Sequence, residues 1–258
     1  MSLRSYLALI RFYSHPTYLV IVVAAIYFSG LSIETAKLLA LLYVSFNVLL
    51  YGGLYTFNSI ADIESDRLHS RKSKRPLPSG EISVKAALLF AIAMTVSGVA
   101  TGYALFGAQA VYTYMAFIFI NLLYTYWLKH IPFAELIGNS LTHPLRLVLA
   151  LILFDDGTVP MYLVSGYFFT ILGSACVRRI VEKDVKGWEA RKVLKQYTLR
   201  QLVMVQVSSF VLLLISFAAA DFSHRPLFLI MIAFYIIFVF GMHFLKRVRA
   251  YWVAVFTR

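Results

Sequence analysis

The sequence of 258 residues has few charged side chains and a single cysteine. Asp, Glu, Lys and Arg together make up 14% of the chain, whereas a soluble domain carries about a quarter. Cys176 has no second cysteine to pair with, which excludes a disulfide within the chain and argues against a cysteine-based metal site. A Ser-His-Asp set, a Gly-rich phosphate loop and a His-rich metal cluster are also missing, so these common signatures of soluble enzymes do not apply.

Apolar residues are abundant instead, at 60% of the chain. They fall into eight blocks, each close to the about 20 residues that a helix needs to cross a membrane; the blocks cover roughly residues 15–31, 36–60, 84–105, 109–128, 133–154, 159–177, 201–220 and 226–245. The blocks lack the alternation typical of strands and are rich in glycine and aromatic residues. The pattern predicts an all-α, polytopic membrane helical bundle of about eight transmembrane helices. Gly98 and Gly102 form a small-xxx-small pair that predicts close helix packing.

The positive charges predict the orientation of these helices. If the N-terminus is cytoplasmic, all but three of the 24 Lys and Arg residues fall in cytoplasmic segments, the exceptions being Lys37, Arg146 and Arg225. This predicts a protein of the cytoplasmic membrane with both termini inside. The net charge of +12 then lies beside anionic lipid headgroups, which explains it without a nucleic-acid partner.

Two charged connections interrupt the apolar pattern, at about residues 61–83 and 178–200. Each follows the second helix of a four-helix half, which suggests a distant internal duplication. We expect a single transmembrane domain over residues 1–258, with both polar loops on the cytoplasmic side.

The first loop reads NSIADIESDRLHSRKSKRPLPSG, from Asn58 to Gly80. Asn58, Asp62 and Asp66 are spaced at i, i+4 and i+8, so they share one face if the preceding helix continues through them. An amide and two carboxylates are oxygen ligands of the kind that Mg²⁺ takes together with substrate phosphates. These three residues are therefore predicted metal ligands, and Asp62 and Asp66 are predicted to be essential for catalysis.

A run of cations follows the acids and ends in a turn rich in proline and glycine. Arg75 can bind a phosphate through two nitrogens, and Lys72 can act as a point charge. Both are predicted contacts for a phosphorylated ligand.

This pattern of Asn-x-x-x-Asp-x-x-x-Asp, a basic loop and RPLPSG resembles the first Asp-rich motif of the UbiA superfamily. Most of those intramembrane transferases move a prenyl group from its diphosphate to an acceptor. The helical organisation and YTYWLKH, from Tyr124 to His130, extend the resemblance over most of the chain. The resemblance implies a UbiA-type bundle, a Mg²⁺ cofactor, a polyprenyl lipid substrate, a phosphorylated donor and a ligand site that includes Tyr124. The chain departs from the family at Ser59, where Asp is usual, and in having eight predicted spans where nine are common.

The second loop reads VRRIVEKDVKGWEARKVLKQYT, from Val177 to Thr198, and lacks a pair of acids at i, i+4. Arg178 and Arg179 lead it, so we expect it to bind an anion directly rather than a second metal. The basic pair, Glu182 and the stretch Arg191 to Thr198 resemble the decaprenylphosphoryl-5-phosphoribose synthases of the superfamily. The resemblance implies that Glu182 belongs to the substrate-binding site. The same branch is similar at His69, Lys129, Glu135 and Arg146.

Arg146 also stands out on physical grounds, because it lies about a dozen residues inside a predicted span. A charged residue inside the membrane is costly and usually marks a functional site or a buried pair. We expect Arg146 to face a polar cavity and, with Lys129, Arg178 and Arg179, to bind anionic groups of the substrates.

These observations favour transfer of 5-phosphoribose from phosphoribose diphosphate to polyprenyl phosphate, with release of diphosphate, in a cavity open to the cytoplasm. Prenyl transfer from a prenyl diphosphate to an aromatic or lipid acceptor uses the same scaffold and is the alternative. A transporter is a third possibility, because related halves and intramembrane charges are also common in transporters.

Overall fold

The computed structural model describes residues 3–68, 71–184 and 192–256, and every regular element in these ranges is helical. Seven helical stretches in this part of the chain are long and apolar enough to cross a membrane: Leu3–Ser29, Ile33–Ala61, Val84–His130, Ala134–Phe154, Met161–Asp184, Leu199–Ala218 and Phe222–Phe244. The predicted all-α class is therefore confirmed. The orientation of the termini and the count of eight spans remain predictions.

The chain separates into two compact units, the first formed by Met1–Tyr126 and Leu145–Thr158. Its elements are helices α1 (Leu3–Ile10), α2 (Leu19–Ser29), α3 (Ile33–Leu42), α4 (Gly52–Ala61), α5 (Ile63–Arg67), α6 (Val84–Tyr126) and the later part of α7 (Ala134–Phe154). A 3₁₀ helix, Phe12–Tyr18, joins α1 to α2, and a π-helix, Tyr43–Tyr51, joins α3 to α4. The single domain expected over residues 1–258 stays a prediction.

Helix α4 and the π-helix before it pack closely against α6. A Cβ atom added at Gly98 would lie 2.6 Å from the backbone nitrogen of Leu50, so only glycine permits this approach. At Gly102 an added Cβ would lie 2.6 Å from the ring of Tyr114. The predicted role of the glycine pair in helix packing is confirmed.

Helix α6 is 43 residues long, about 64 Å at the α-helical rise and so twice the thickness of a hydrocarbon core. Gly107 interrupts it with a φ of 75° and a ψ of −171°. This conformation lies outside the helical region and is open to glycine because it has no Cβ. The break falls between the predicted spans 84–105 and 109–128, which favours two crossings here and a total of eight.

The second unit is formed by Trp127–Pro144 and Val159–Arg258. It contains the first part of α7, then α8 (Met161–Asp184), α9 (Leu199–Ala218), α10 (Arg225–Phe234), a π-helix (Tyr235–Phe240), α11 (Gly241–Phe244) and α12 (Lys246–Phe256). Helices α8 and α9 form its main contact. The short α12 is anchored by Trp252, whose Nε1 donates to the carbonyl oxygen of Phe238 at 2.8 Å.

Two helix boundaries differ from the sequence expectation. The first candidate span begins at Leu3, because α1 is helical up to Ile10 although it carries Arg4. Helix α8 continues to Asp184, so the first part of the predicted 178–200 loop is helical. The extension has a local cause, since Arg178 pairs with Glu182 one turn further along the same helix.

Candidate functional site

The three predicted metal ligands lie along one face of a nearly continuous helix. Asp62 ends α4 and precedes α5, with a φ of −96° and a ψ of 1°. The i to i−4 hydrogen bonds nevertheless continue across it, from Asp62 N to Asn58 O at 3.0 Å and from Asp66 N to Asp62 O at 2.8 Å. The side chains of Asn58, Asp62 and Asp66 therefore follow one another at single-turn intervals along one face.

Asp66 is the most deeply buried of the three, with 4% of its surface exposed. Arg75 donates from Nη1 to its Oδ2 at 2.7 Å, and Lys72 Nζ lies 3.8 Å from Oδ1. The two cations that the sequence assigns to a phosphorylated ligand thus both pair with an acid of the motif.

The RPLPSG turn folds the basic segment back onto the acids. Leu77 and Ile82 are buried in an apolar cluster with Ile63 of α5 and Leu9 of α1. Ile82 N donates to Pro76 O at 3.0 Å, which closes the turn. Burial of these apolar side chains fixes the loop, so Arg75 reaches Asp66 at low entropic cost.

The motif is chemically suited to a hard cation. Asn58 and Asp62 are half-buried, and with Asp66 they offer one amide oxygen and two carboxylates, as Mg²⁺ prefers. Clusters of three or more His, Cys, Asp or Glu in a metal-binding arrangement do not occur in the described ranges, so this mixed set is the candidate. Asp66 can join it once Arg75 releases a carboxylate oxygen.

Arg146, in the same unit, is fully buried among aromatic rings. Its guanidinium carbon lies 4.6 Å from the centre of the Tyr51 ring, 4.8 Å from that of Phe117 and 5.9 Å from that of Phe46. Aromatic faces attract a desolvated cation by about 2 kcal/mol or more. These three rings offset part of the cost of burying the charge. The sequence predicted a polar cavity at Arg146, whereas its guanidinium lies against aromatic rings.

The second unit contains a buried ionic network centred on Arg179, which is 2% exposed. Arg179 donates to both carboxylate oxygens of Glu135, with the Nε to Oε1 bond at 2.6 Å, and from Nη1 to Glu182. Glu182 also accepts from Arg178 Nε at 2.8 Å. Arg179 therefore faces carboxylates, whereas 42% of the Arg178 side chain is exposed.

Tyr197, near the end of the second loop, completes the network. Its hydroxyl donates to Glu135 Oε1 at 3.1 Å and accepts from the backbone nitrogen of Phe133 at 2.9 Å. Burial first, and the Glu135 carboxylate second, raise the pKa of Tyr197, so it stays a hydrogen-bond donor at neutral pH.

The other predicted ligand contacts lie at the end of α6 and just after it. Tyr124 is half-buried on the last turn of α6, and Lys129 is half-buried on a 3₁₀ turn, Leu128–His130. His69 and Arg191, which carry part of the family resemblance, lie outside the described residues.

Sequence reasoning missed one charged contact beside the motif. Arg11 donates from Nη2 to Ser59 Oγ at 2.7 Å, and its guanidinium carbon lies 5.4 Å from the centre of the Tyr55 ring. The sequence marks Arg11 only as one of the cytoplasmic charges that predict the orientation. Its pairing depends on a contact across 48 residues, and no local pattern reports that.

The model of the UbiA prenyltransferase family matches residues 17–187, a range that holds the acidic motif, Arg146 and the charged members of the ionic network, Glu135, Arg178, Arg179 and Glu182. The chain belongs to this family. It is therefore a UbiA-superfamily transferase and an integral membrane protein, and membership favours a transferase over the transporter that the sequence left open.

The curated relatives match only part of this chain. Protoheme IX farnesyltransferase 1 of Pyrobaculum aerophilum is 32% identical over 119 residues, which are 46% of this chain and 42% of that protein. An uncharacterized protein of Sinorhizobium fredii, y4nM, is 28% identical over 148 residues, which are 55% of this chain and 28% of that protein. The matches thus span less than half the length of these relatives.

Solved structures support the UbiA fold over nearly the whole chain. A UbiA homolog from Archaeoglobus fulgidus bound to GPP and Mg²⁺ has a TM-score of 0.76 at 22% identity, covering 93% of this chain and 87% of that one. A digeranylgeranylglyceryl phosphate synthase has a TM-score of 0.71 at 17% identity, covering 99% and 93%. At these identities the likeness establishes the fold alone.

Proposed function

We propose that this UbiA protein is a Mg²⁺-dependent transferase of the cytoplasmic membrane that moves 5-phosphoribose from phosphoribose diphosphate to a polyprenyl phosphate. The proposal rests on the contacts that Glu182 and Arg178 make in the second loop. Its Glu182 is held by two arginines, so it is not available for a second metal. Arg178 donates to it from Nε alone, and within the described part of the chain its terminal nitrogens form no hydrogen bond to protein. They suit a second anionic substrate.

Asn58, Asp62 and Asp66 are the residues that would hold Mg²⁺. In the proposed orientation they lie at the cytoplasmic side of the membrane, where the soluble donor phosphoribose diphosphate is present. The bound ion would neutralise charge that develops on the departing diphosphate. Arg75 and Lys72 move from Asp66 to the donor phosphates in this proposal, because a phosphate and a carboxylate compete for the same donors. Asp66 is thereby released at the moment the donor binds.

The reaction forms a bond between C1 of the ribose and a phosphate oxygen of the lipid, and it breaks the bond from C1 to diphosphate. The attacking oxygen is already anionic and needs little activation. Lys129, Tyr124 and the exposed end of Arg178 are proposed to orient anionic substrate groups. Arg146 and Arg179 are proposed to position neighbouring residues of the protein, because both are buried against protein groups. Exclusion of water matters for this reaction, because water would otherwise take the acceptor's place.

Prenyl transfer is the second candidate, and the comparisons give it specific support. The curated relatives include protoheme IX farnesyltransferases, and the Archaeoglobus fulgidus homolog binds GPP with Mg²⁺. The same acidic motif would then hold a prenyl diphosphate, and an acceptor would attack its C1.

Incubation of the purified full chain in nanodiscs with Mg²⁺ separates the two. One reaction receives phosphoribose diphosphate and polyprenyl phosphate, and the other receives farnesyl diphosphate with an aromatic acid or haem; products are identified by mass spectrometry. We expect a phosphoribosylated polyprenyl phosphate in the first, lost with EDTA. A prenylated product in the second reaction alone would overturn the phosphoribosyl assignment.

A further inference from the structure

Arg11 occupies a backbone conformation that few side chains adopt. It separates α1 from the 3₁₀ helix Phe12–Tyr18 and has a φ of 55° and a ψ of 55°. A residue other than glycine in the left-handed region costs about 1–2 kcal/mol, and such strain persists where the surrounding structure determines it. The bend directs the side chain at α4 rather than along the first helix.

The Arg11 charge is held by neutral groups. Ser59, which is buried, accepts a hydrogen bond from it, and the Tyr55 ring lies beneath its guanidinium. Within the described residues Arg11 forms no ion pair with a carboxylate. It therefore differs from Arg75 and Arg179, which both pair with acids. A half-buried cation without a counter-charge attracts an anion strongly, because partial burial reduces the screening by water.

Ser59 places this cation relative to the acidic motif. Ser59 follows Asn58 directly and precedes Asp62 by three residues, about 4.5 Å along the helix axis. It lies inside the candidate span Ile33–Ala61, whereas Asp62 and Asp66 lie beyond its end. The Arg11 guanidinium is thus on the membrane side of the acids.

We propose that Arg11, positioned by Ser59, binds the oxyanion of the acceptor substrate. The inference rests on the proposed function in taking the acceptor to be anionic. A soluble donor reaches the motif from the polar loop, so its diphosphate takes the outer position at Asp62 and Asp66. A lipid phosphate arrives from the bilayer and meets the deeper cation. An acceptor carboxylate would use the same contact if the donor is a prenyl diphosphate.

The residue at position 59 then sets the strength of this contact. The serine hydroxyl accepts a hydrogen bond and orients the guanidinium while leaving its charge intact. A carboxylate at position 59 would pair with Arg11 and cancel most of its attraction for an acceptor anion. The departure from the family's usual Asp at Ser59 thereby becomes a feature that determines specificity.

The test compares charged and neutral ligands of equal size. Binding of polyprenyl phosphate and of the matching polyprenol to the full chain in nanodiscs is measured in the absence of donor. A parallel pair, 4-hydroxybenzoate and its neutral amide, covers an acceptor carboxylate. The variants are Arg11→Asn, which suits the left-handed backbone, Arg11→Lys, Ser59→Asp and Ser59→Ala. Arg4→Gln, on the exposed face of α1, is the matched control.

We expect the wild type to prefer the charged member of one pair. That preference should fall about tenfold or more in Arg11→Asn and Ser59→Asp, as for loss of a charged hydrogen bond. It should fall less in Ser59→Ala, which keeps the charge but loses the bond that positions it, and persist in Arg11→Lys and Arg4→Gln. Dependence on Arg11 in the carboxylate pair alone would keep the inference and reject the phosphoribosyl function. Unchanged preference in correctly folded Ser59→Asp and Arg11→Asn proteins would overturn the inference. Ser59→Asp keeps Arg11 in place and so serves as the test if Arg11→Asn fails to fold.

Discussion

Arg179 and Glu135 form a two-bond ion pair that joins α8 to the start of α7, with both side chains almost fully buried. The arginine side chain is shared with Glu182, and Tyr197 donates to the same Glu135. The residues that mark the second loop in the sequence thus serve mainly to hold that loop's own structure. Of the two leading arginines, Arg178 is the one that keeps substantial exposure.

Arg179→Met should destabilise the protein by about 3–5 kcal/mol, because it leaves Glu135 buried without its cation and Glu182 with Arg178 alone. Equilibrium unfolding in mixed micelles measures the loss. Arg249→Met is the matched control, since Arg249 pairs with Asp184 of the same helix at the surface, where an ion pair contributes about 0–1 kcal/mol. An equal loss of unfolding free energy in both variants would show that burial of the Arg179 network adds nothing to stability.

Tyr197→Phe should lower the free energy of unfolding by about 1–3 kcal/mol near neutral pH, because Glu135 and the Phe133 backbone lose a buried partner. Burial and Glu135 raise the pKa of Tyr197 in the folded state, so the native protein holds its proton more firmly than the unfolded chain. The associated stability is complete below the ordinary tyrosine value of about 10 and is lost as pH rises above it. The difference between wild type and Tyr197→Phe should therefore narrow above that pH. A constant difference across the range would contradict the pKa shift.

Asp62→Asn combined with Asp66→Asn should abolish transfer, with a loss larger than the roughly 10–100-fold typical of outer metal partners. The paired change keeps side-chain size, so the protein should still elute as an intact membrane protein. Glu64→Gln is the control, because Glu64 is exposed and pairs with Arg67 at the surface. Transfer that survives in the double variant at the wild-type rate would remove the metal assignment.

Arg75→Gln should weaken binding of the donor and strengthen binding of a divalent cation. The Michaelis constant for the donor should rise about tenfold or more, because a charged contact to phosphate is lost. The affinity for a divalent cation in the absence of donor should increase, because Arg75 no longer competes for Asp66 Oδ2. Mn²⁺ binding followed by electron paramagnetic resonance measures the second effect.

Lys85→Gln is the charge-matched control for Arg75→Gln, because Lys85 is exposed at the start of α6. If both variants alter Mn²⁺ binding equally, net charge alone explains the effect. If Arg75→Gln weakens Mn²⁺ binding, the proposed exchange of Asp66 between Arg75 and the metal is wrong.

The sequence predicts the helical bundle well because burial in lipid demands long apolar runs, and it predicts the alignment of Asn58, Asp62 and Asp66 because that alignment follows from helical period. Its errors lie at the span ends. The sequence predicts a loop that begins at Arg178, but pairing with Glu182 keeps this residue helical. Charge near a membrane boundary does not reveal whether the side chain faces solvent or a partner on its own helix.

The contacts of the site were less accessible, because they join distant parts of the chain. Arg11 and Ser59 are 48 residues apart, and Arg179 and Glu135 are 44 apart. The sequence marks each of these residues as charged or unusual, but packing decides which pairs meet. For Arg179, packing selects carboxylates as its partners rather than solvent.

Arg146 provides a separate test, because its surroundings are aromatic. Phe117→Leu keeps an apolar side chain against the guanidinium but removes a ring 4.8 Å away. A double-mutant cycle with Arg146→Met should give a coupling energy of about 1–2 kcal/mol, measured by unfolding in mixed micelles. Phe119→Leu, at an exposed position of the same helix, should show no coupling. A coupling near zero for Phe117 would mean that the rings act only by filling space, and that Arg146 is stabilised by its other contacts.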